Sequence, residues 1–551
     1  MPVMVKPALL HQIAFGEKRL MSSGTRPNIV LILADDLGYS DISPFGAEIR
    51  TPNLHALSEK GLRFSQMYSF GRCCPSRGAL LTGLYPHQAG IGHMNRNLGP
   101  REYQGYLRDD CVTIAEVLKS AGYRTMMSGK WHVGGNYTGR GPQAWPLGQE
   151  GYPSPRQRGF DRFFGTLIGA GSYYHPHTLL DNEEWIQVTD DGFYYTDAIS
   201  DKAVEMIDEA HALGDPFFMY VAYTAPHWPL HAPPEDIERY RGRYAKGGWD
   251  RLRMERHESL KSTGVLDPVW SISPRDSDAP AWDDTPDKPW EDLRMAVYAA
   301  QIDRMDQGIG KIRAALQRLE LEENTLILFL SDNGGCAEFL AEEGYVQKPE
   351  RTLPDGRLVH YGNTADITPG GPTTYMSYDL PWANASNSPF RLFKHYVHEG
   401  GVSSPCIVSY PAGIPQSGVV HSTCSFIDVM ATCIDLAGAT YPADYNGRAI
   451  TPLEGESFVP GFTNAGWQRE RPVYWEHEGN RALRLGDWKL VCRFPSDWEL
   501  YNMVEDRTEL NDRAAREPER LKKMTRLYDE WAARCGVRPW DPAVLELRRW
   551  P

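Results

Sequence analysis

Two apolar, strand-like runs in this chain end in oxygen donors. Asn28 to Ala34 runs into Asp35-Asp36-Leu37-Gly38, and Leu326 to Leu330 runs into Ser331-Asp332-Asn333-Gly334-Gly335. Brought together, they would offer three carboxylates and one amide oxygen. That is a hard donor set for Ca²⁺ or Mg²⁺, and too poor in nitrogen and sulfur for zinc. Either pair alone more often caps a helix or closes a turn; two such strand ends in one chain favour the metal. A second centre is Cys73-Cys74-Pro75-Ser76-Arg77-Gly78-Ala79-Leu80-Leu81-Thr82-Gly83, two adjacent thiols ahead of a helix-like run. Other polar candidates are Lys130 and His132 in Gly129-Lys130-Trp131-His132, His227 in Ala225-Pro226-His227-Trp228-Pro229, and Lys394 in the run that ends Glu399-Gly400-Gly401. Taken singly, such lysines are mostly solvated, and such histidines mostly sit in loops or cores.

The run from Cys73 to Gly83 resembles the signature of the type I sulfatases of the alkaline phosphatase superfamily, C-x-P-S-R followed by Leu-Thr-Gly. The resemblance extends from Arg26-Pro27-Asn28 to the C-terminal segment and is strongest to the bacterial arylsulfatase branch. It implies that Cys73 is oxidised to formylglycine by a formylglycine-generating enzyme, with Cys74 filling the variable position. A hydrated aldehyde can attack sulfur and then release sulfate through its second hydroxyl, which an unmodified Ser or Cys lacks. The resemblance places Asp35, Asp36, Asp332 and Asn333 on calcium positions, with the modified Cys73 as a further ligand. Lys130, Lys394 and Arg77 would then bind sulfate oxygens. His227 would donate to the leaving oxygen and His132 would take the diol proton; Asp332 is a further candidate base. The implied activity is hydrolysis of sulfate monoesters, with aryl sulfates as the expected substrates and alkyl and sugar sulfates left open. A phosphonate or phosphate ester hydrolase of the same superfamily is the alternative, and an inactive binding protein the third reading.

The formal net charge is −14. An acidic chain argues against nucleic acid and anionic membrane as partners, and an anionic substrate would need local positive charge. The nine cysteines are scattered, with no C-x-x-C pair or histidine-paired zinc pattern. No cluster of extra His and Asp suggests a second metal. No sustained apolar region follows Met1, and no run of about 18 apolar residues appears. The expectation is a cytoplasmic protein containing a small-molecule site.

Alternation of strand and helix patterns predicts an α/β fold with a large mainly parallel or mixed sheet sandwiched by helices, and the family resemblance implies that it is alkaline phosphatase-like. Ligands in such folds sit at the carboxyl ends of the strands. Val112 to Ala121 and Leu293 to Leu319 read as helices; Thr125 to Ser128 and Phe217 to Ala222 read as strands. Gly242 to Trp290 and Val346 to Ser388 lack a period and read as long surface loops. The expected organisation is a leader over 1–24, a catalytic domain over 25–440 and a small C-terminal α+β domain with an antiparallel sheet over 441–551. Trp475, Trp488 and Trp498 are expected to pack that small domain onto the main sheet. Tyr173, Tyr174, His175 and His177 form a cluster that lines a pocket or packs. His231 and His395 lie beside motif residues, and His398 is placed to hold Lys394 or Glu399.

Overall fold

The computed structural model describes residues 26–137, 145–190, 192–341 and 352–547. The expected leader and the start of the polar stretch from Val346 lie outside the described residues. At the centre is a ten-stranded sheet. Its strands are β1 (Asn28–Asp35), β2 (Leu62–Tyr68), β3 (Arg124–Gly129), β4 (Arg162–Thr166), β5 (Leu179–Asp181), β6 (Glu184–Trp185), β7 (Phe217–Pro226), β8 (Thr325–Ser331), β9 (Ser403–Ser409) and β10 (Gly418–Ser425). Side by side they run β10-β2-β9-β8-β1-β7-β3-β4-β5-β6. From β8 through β1, β7 and β3 to β4 every pairing is parallel. Strand β9 is antiparallel to β2 and β8, and β5 and β6 close one edge antiparallel. The sheet is therefore mixed and mostly parallel, as the sequence implies.

Strand β1 shows why its run is almost wholly apolar. Ile29, Leu31 and Leu33 enter one core, and Val30, Ile32 and Ala34 enter the other. A strand covered on both faces has no polar side to display. The helices of the chain include α1 (Pro52–Glu59), α2 (Cys73–Thr82), α3 (Ile114–Ser120), α4 (Tyr195–Leu213), α5 (Gly248–Ser262), α6 (Lys288–Arg318), α7 (Asp379–Ser386), α8 (Phe426–Ala437) and α9 (Pro518–Cys535). Helices α2, α3 and α8 pack in the first core, and α4 and α6 in the second. Helix α3 starts at a capping box. Thr113 Oγ1 accepts from the Glu116 amide at 3.1 Å, and Glu116 Oε2 accepts from the Thr113 amide at 2.7 Å, which satisfies two backbone donors that the helix leaves free.

The two stretches expected to be surface loops contain core helices. Helix α5 lies within Gly242 to Trp290, and α7 within Val346 to Ser388. Trp249 of α5 and Trp382 of α7 meet edge to face, with ring centroids 5.1 Å apart. Both are buried. Arg256 hides the periodicity of α5. It lies on the buried face and is held by Asp41 and by Glu48, the latter at 2.9 Å, so a charged residue occupies a core position.

Within 441–551, a separate antiparallel sheet is formed by β11 (Val473–His477), β12 (Asn480–Leu485), β13 (Trp488–Cys492) and β14 (Glu499–Asn502), with α9 packed against it. Trp475 joins this sheet to the large one, donating from Nε1 to the Ser69 carbonyl at 2.7 Å and meeting Tyr68 edge to face. Trp488 and Trp498 do not share that role. Trp488 lies under Arg520 of α9 and Trp498 packs against Tyr528 of the same helix, so both serve the interior of the small unit. A buried ionic knot makes the second tie. Lys489 Nζ lies 2.8 Å from both Glu399 and Glu509, and Arg507 Nε lies 3.0 Å from Glu399. Tyr68 and Ser403 donate to the same Glu399 carboxylate.

Removing one member of such a knot strands the others in a dry environment. Glu399→Ala should cost about 3–5 kcal/mol, the usual penalty for uncompensated buried charge. The measurement is the urea midpoint, and a midpoint equal to that of the parent would contradict this assignment.

Candidate active site

Four neighbouring parallel strands deliver the sequence candidates to one edge of the sheet. Ala34 of β1 is in register with Ser331 of β8, so Asp35-Asp36 and Asp332-Asn333 leave the sheet side by side. Asp35 is in register with Pro226, which places His227 next to them. Gly129 of β3 pairs with Ala222 of β7, and Lys130 donates its amide to the Ala222 carbonyl at 2.8 Å. Only glycine fits at 129: its φ is +120°, and a Cβ there would stand 1.9 Å from the Ala222 oxygen. This close approach lets Lys130, Trp131 and His132 turn in across the strand ends. Asp36 and His132 themselves adopt left-handed backbone, at φ 64° and 56°, conformations that persist only where surrounding structure imposes them.

Cys73 is the first residue of α2, a helix buried along its whole length. Pro75 is tolerated because the first turn has no amide partners to lose, and Gly83 ends the helix at φ 67°. Ser76 Oγ accepts from the Phe70 amide at 2.9 Å, fixing the entry to the helix. Arg77 reaches back across the site. Its Nε donates to Asp332 Oδ2 at 3.0 Å and its Nη1 to the Lys130 carbonyl at 3.0 Å. Its Nη2 lies 3.7 Å from Asp35.

The remaining charges alternate. Lys130 Nζ contacts Asp35 Oδ2. Lys394 Nζ donates to Asp36 Oδ2 at 2.8 Å and lies 3.4 Å from His227 Nε2. Asn333 Nδ2 donates to Asp36 Oδ1 at 2.7 Å. Asp332 Oδ1 accepts from the Asp36 amide at 3.2 Å. His227 Nδ1 lies 2.6 Å from the Trp228 carbonyl, which makes that nitrogen the donor and leaves Nε2 to face Lys394 and Asp36.

Burial sets most protonation preferences here. It pushes Asp35 up to about 6 against the pull of Lys130 and Arg77. Burial and then Asp35 raise Asp332. For Asp36 burial also raises, but His227 and Lys394 outweigh it and leave the carboxyl below its usual range. Burial brings His132 and His227 down to about 4. A hydrogen bond with Cys74, opposed by burial and assisted by Lys130 and Lys394, holds the Cys73 thiol well below the ordinary thiol range. Cys74, by contrast, is raised by burial.

The donor chemistry fits a hard cation. Asp35 Oδ1 and Asn333 Oδ1 are buried and lack any hydrogen-bond partner. Asp35, Asp36 and His227 each present a ligand atom within 4.8 Å of the others. Unsatisfied, buried, mainly carboxylate and amide oxygens are what Ca²⁺ uses. Asp332 Oδ2 is already engaged by Arg77.

Glu338 and Arg72, which carry no signal in the sequence, also shape the site. Glu338 lies 3.9 Å from Lys394, pairs with Arg72 at 2.8 Å and accepts from Trp228 Nε1 at 2.8 Å. Tyr173 packs and donates: its hydroxyl reaches the carbonyls of Thr224 and His227 at 2.7 and 2.8 Å. His231 supports Tyr173, accepting its amide at 3.3 Å. His177 lines a small recess with Gly169, Thr178, Tyr195 and Thr224. His398 points elsewhere, lying 3.4 Å from Glu499 and holding neither Lys394 nor Glu399 through its side chain.

The fold and the site define an ester hydrolase of the alkaline phosphatase superfamily. Comparison with known proteins narrows the class. The family model described as Sulfatase matches residues 27–439, and one described as N-sulphoglucosamine sulphohydrolase, C-terminal, matches residues 390–531. An arylsulfatase of Klebsiella aerogenes is 34% identical over 78% of this chain and 91% of its own. An uncharacterized sulfatase of Schizosaccharomyces pombe is 31% identical over 93% of this chain and 94% of its own. The crystal structure of Ps i-CgsB superposes with a TM-score of 0.65 at 26% identity, covering 95% of this chain and 98% of that one. The chain belongs to the sulfatase family, as a type I member, and is an enzyme of sulfate ester hydrolysis.

Gly169 sits against the His132 ring; a Cβ there would come within 2.4 Å of Cε1 and 2.7 Å of Nε2. Gly169→Ala should displace the imidazole and, on the role the sequence resemblance implies for His132, lower kcat about 10²-fold, the scale expected when a reacting group is moved by roughly 1 Å. The thermal midpoint should change little. Parent-like turnover would show that His132 placement does not limit the reaction.

Proposed function

We propose that this enzyme hydrolyses sulfate monoesters, aryl sulfates foremost, with formylglycine formed from Cys73 and one bound Ca²⁺. The observation that carries the reading is the placement of Cys73 at the buried start of α2, facing Lys130, Lys394 and His132. Asp35, Asp36, Asp332 and Asn333 would hold the cation. Formylglycine supplies as its hydrate a nucleophilic oxygen with a second hydroxyl, and the cation supplies charge that polarises sulfate oxygens.

The other steps belong to side chains in place. Arg77, pinned by Asp332 and the Lys130 carbonyl, fixes the positions of both partners. Lys130 and Lys394 bind sulfate oxygens and stabilise the charge that builds in the transition state. His227 Nε2 stands beside the Lys394 ammonium, so a proton for the leaving oxygen is shared by that pair. Because burial keeps the free imidazole neutral at pH 7 and Lys394 lowers it further, Asp36 and the incoming anion must favour protonation at Nε2. His132, neutral for the same reason, accepts the proton at the Cys73 position.

Peptide mass spectrometry should find the Cys73 residue lighter by about 18 Da than cysteine, the mass difference of thiol to aldehyde conversion. Cys73→Ala should abolish turnover and Cys74→Ala should retain most of it. A fully active preparation carrying only unmodified Cys73 would end the proposal. A panel of sulfate, phosphate and phosphonate esters on one leaving group should favour sulfate; preference for phosphonate would replace the substrate class.

The two histidines should separate kinetically. Loss of a general acid costs about 10²–10⁴-fold, and the cost rises as the leaving group becomes poorer. His227→Ala should therefore slow alkyl sulfates much more than nitrophenyl sulfate. His132→Ala should slow both alike and leave sulfate covalently on the protein, visible by intact mass. Identical leaving-group slopes for parent and both variants, with no trapped sulfate, would overturn these roles.

A further inference from the structure

The sequence offers no spacing that suggests a second metal, yet the fold gathers three histidines and a glutamate from distant segments. His93 follows α2, His395 follows Lys394, and His477 and Glu478 lie at the turn from β11 to β12. His93 Nε2 lies 2.7 Å from Glu478 Oε1, and His395 Nδ1 lies 3.3 Å from Glu478 Oε2. The His477 ring stacks on His93 with centroids 5.7 Å apart and meets His395 edge to face at 5.5 Å. Ligand atoms of His395, His477 and Glu478 all fall within 4.8 Å of one another.

His477 is the decisive residue. Its side chain is wholly buried, and neither ring nitrogen has a hydrogen-bond partner. The closest carboxylate oxygen, Glu478 Oε1, is 3.8 Å from Nε2. His93 Nδ1 is likewise buried and unpaired. A buried imidazole normally donates from one nitrogen and accepts at the other. One of the two bare nitrogens of His477 is explained by an ion shared with His395 and Glu478, whose ligand atoms lie within 4.8 Å of it.

We infer that His395, His477 and Glu478, with His93 beside them, form a transition-metal site, with Zn²⁺ the ion that the donors fit. Imidazole nitrogen with one carboxylate is a zinc donor set, whereas the oxygen-rich set at the ends of β1 and β8 suits Ca²⁺. Burial keeps His477 in the neutral form that ligates. His395 and Glu478 retain 30% and 21% exposure, which gives the ion a path in. The site spans two units of the structure: His395 adjoins Lys394 at the active site, and His477-Glu478 belongs to the small sheet. A bound ion would fasten the β11–β12 turn to the segment that carries Lys394. This site is independent of the reading of Cys73.

The test uses the full-length protein, stripped with chelator and resaturated with Ca²⁺. ZnCl₂ is titrated calorimetrically, and retained zinc is counted by mass spectrometry after gel filtration. One equivalent per chain should be retained, and Co²⁺ in its place should give the visible absorption of a nitrogen-rich site. His477→Ala and Glu478→Gln should each lose the ion, while Asp36→Asn, which alters the calcium donors, should keep it. Zinc should raise the thermal midpoint of the parent and leave that of Glu478→Gln unmoved. Because Glu478 sits at the rim, that variant decides the matter if His477→Ala does not fold. No retained zinc in the parent, equal zinc in parent and Glu478→Gln, or loss of zinc in Asp36→Asn alone would each overturn the inference.

Discussion

Burial of like charges at one sheet edge is the constraint on which this structure turns. Asp35, Asp36 and Asp332 lie within a site closed to water, and each is fully or almost fully buried. Carboxylates cannot be held there without cations between them. Arg77, Lys130 and Lys394 supply those cations, and each reaches the site from a different element. The demands on the backbone follow. Strands β1 and β8 must stay in register for the acids to adjoin, Gly129 must let β3 approach β7, and α2 must present Arg77 toward the strand ends. Mutations that slip any of these would act through electrostatics before they acted through packing.

One short segment connects that constraint to the rest of the molecule. Between Phe393 and Ser403 the chain places Lys394 against Asp36, His395 against Glu478, and Glu399 in the knot with Lys489 and Arg507. Gly400 and Gly401 allow the close passage: a Cβ on either would stand 2.3 Å or less from a backbone oxygen. The small sheet is therefore more than an appended unit. Its charges hold the segment that carries a site lysine, so its loss would be felt at Lys394. Buried ion pairs add little net stability when compared with apolar packing; their use here is better explained by the single geometry they enforce.

How much of this was legible in the sequence depended on whether a residue announced its neighbours. Strands β1, β7 and β8 did so, because burial on both faces leaves an unbroken apolar run. The strand-end acids, the Cys73 motif, Lys130, His227 and Lys394 sat in distinctive local patterns, and the fold brings all of them together. Helix α5 did not announce itself. Its buried face includes Arg253, Arg256 and His257 beside Trp249, Leu252 and Leu260, so the helical stripe is present but written partly in charged letters. Glu338 and Arg72 carried no pattern; their importance comes from a pairing across 266 positions that only the tertiary structure reveals. The histidine cluster failed for the same reason, since its members come from three segments. Trp488 and Trp498 were misassigned because composition shows that tryptophans pack, but not against what.

An acidic enzyme acting on an anion poses a last electrostatic question. The chain carries a net charge of −14, and its far field opposes approach of a sulfate ester. At the site itself, Arg72, Arg77, Lys130 and Lys394 face Asp35, Asp36, Asp332 and Glu338, four cations against four carboxylates. By formal count the protein alone is neutral there and has no general preference for anions. Burial raises Asp35 to about 6 and Asp332 above its usual range, which weakens the hold of these carboxylates on the neighbouring cations without making Asp35 neutral at pH 7. A divalent cation among the strand-end oxygens would act in the same direction and more strongly, and would release Lys130 and Lys394 from their carboxylate partners. Substrate affinity and rate should then both depend on the same ion, because under the roles proposed above Lys130 and Lys394 become available to sulfate only when the carboxylates are occupied.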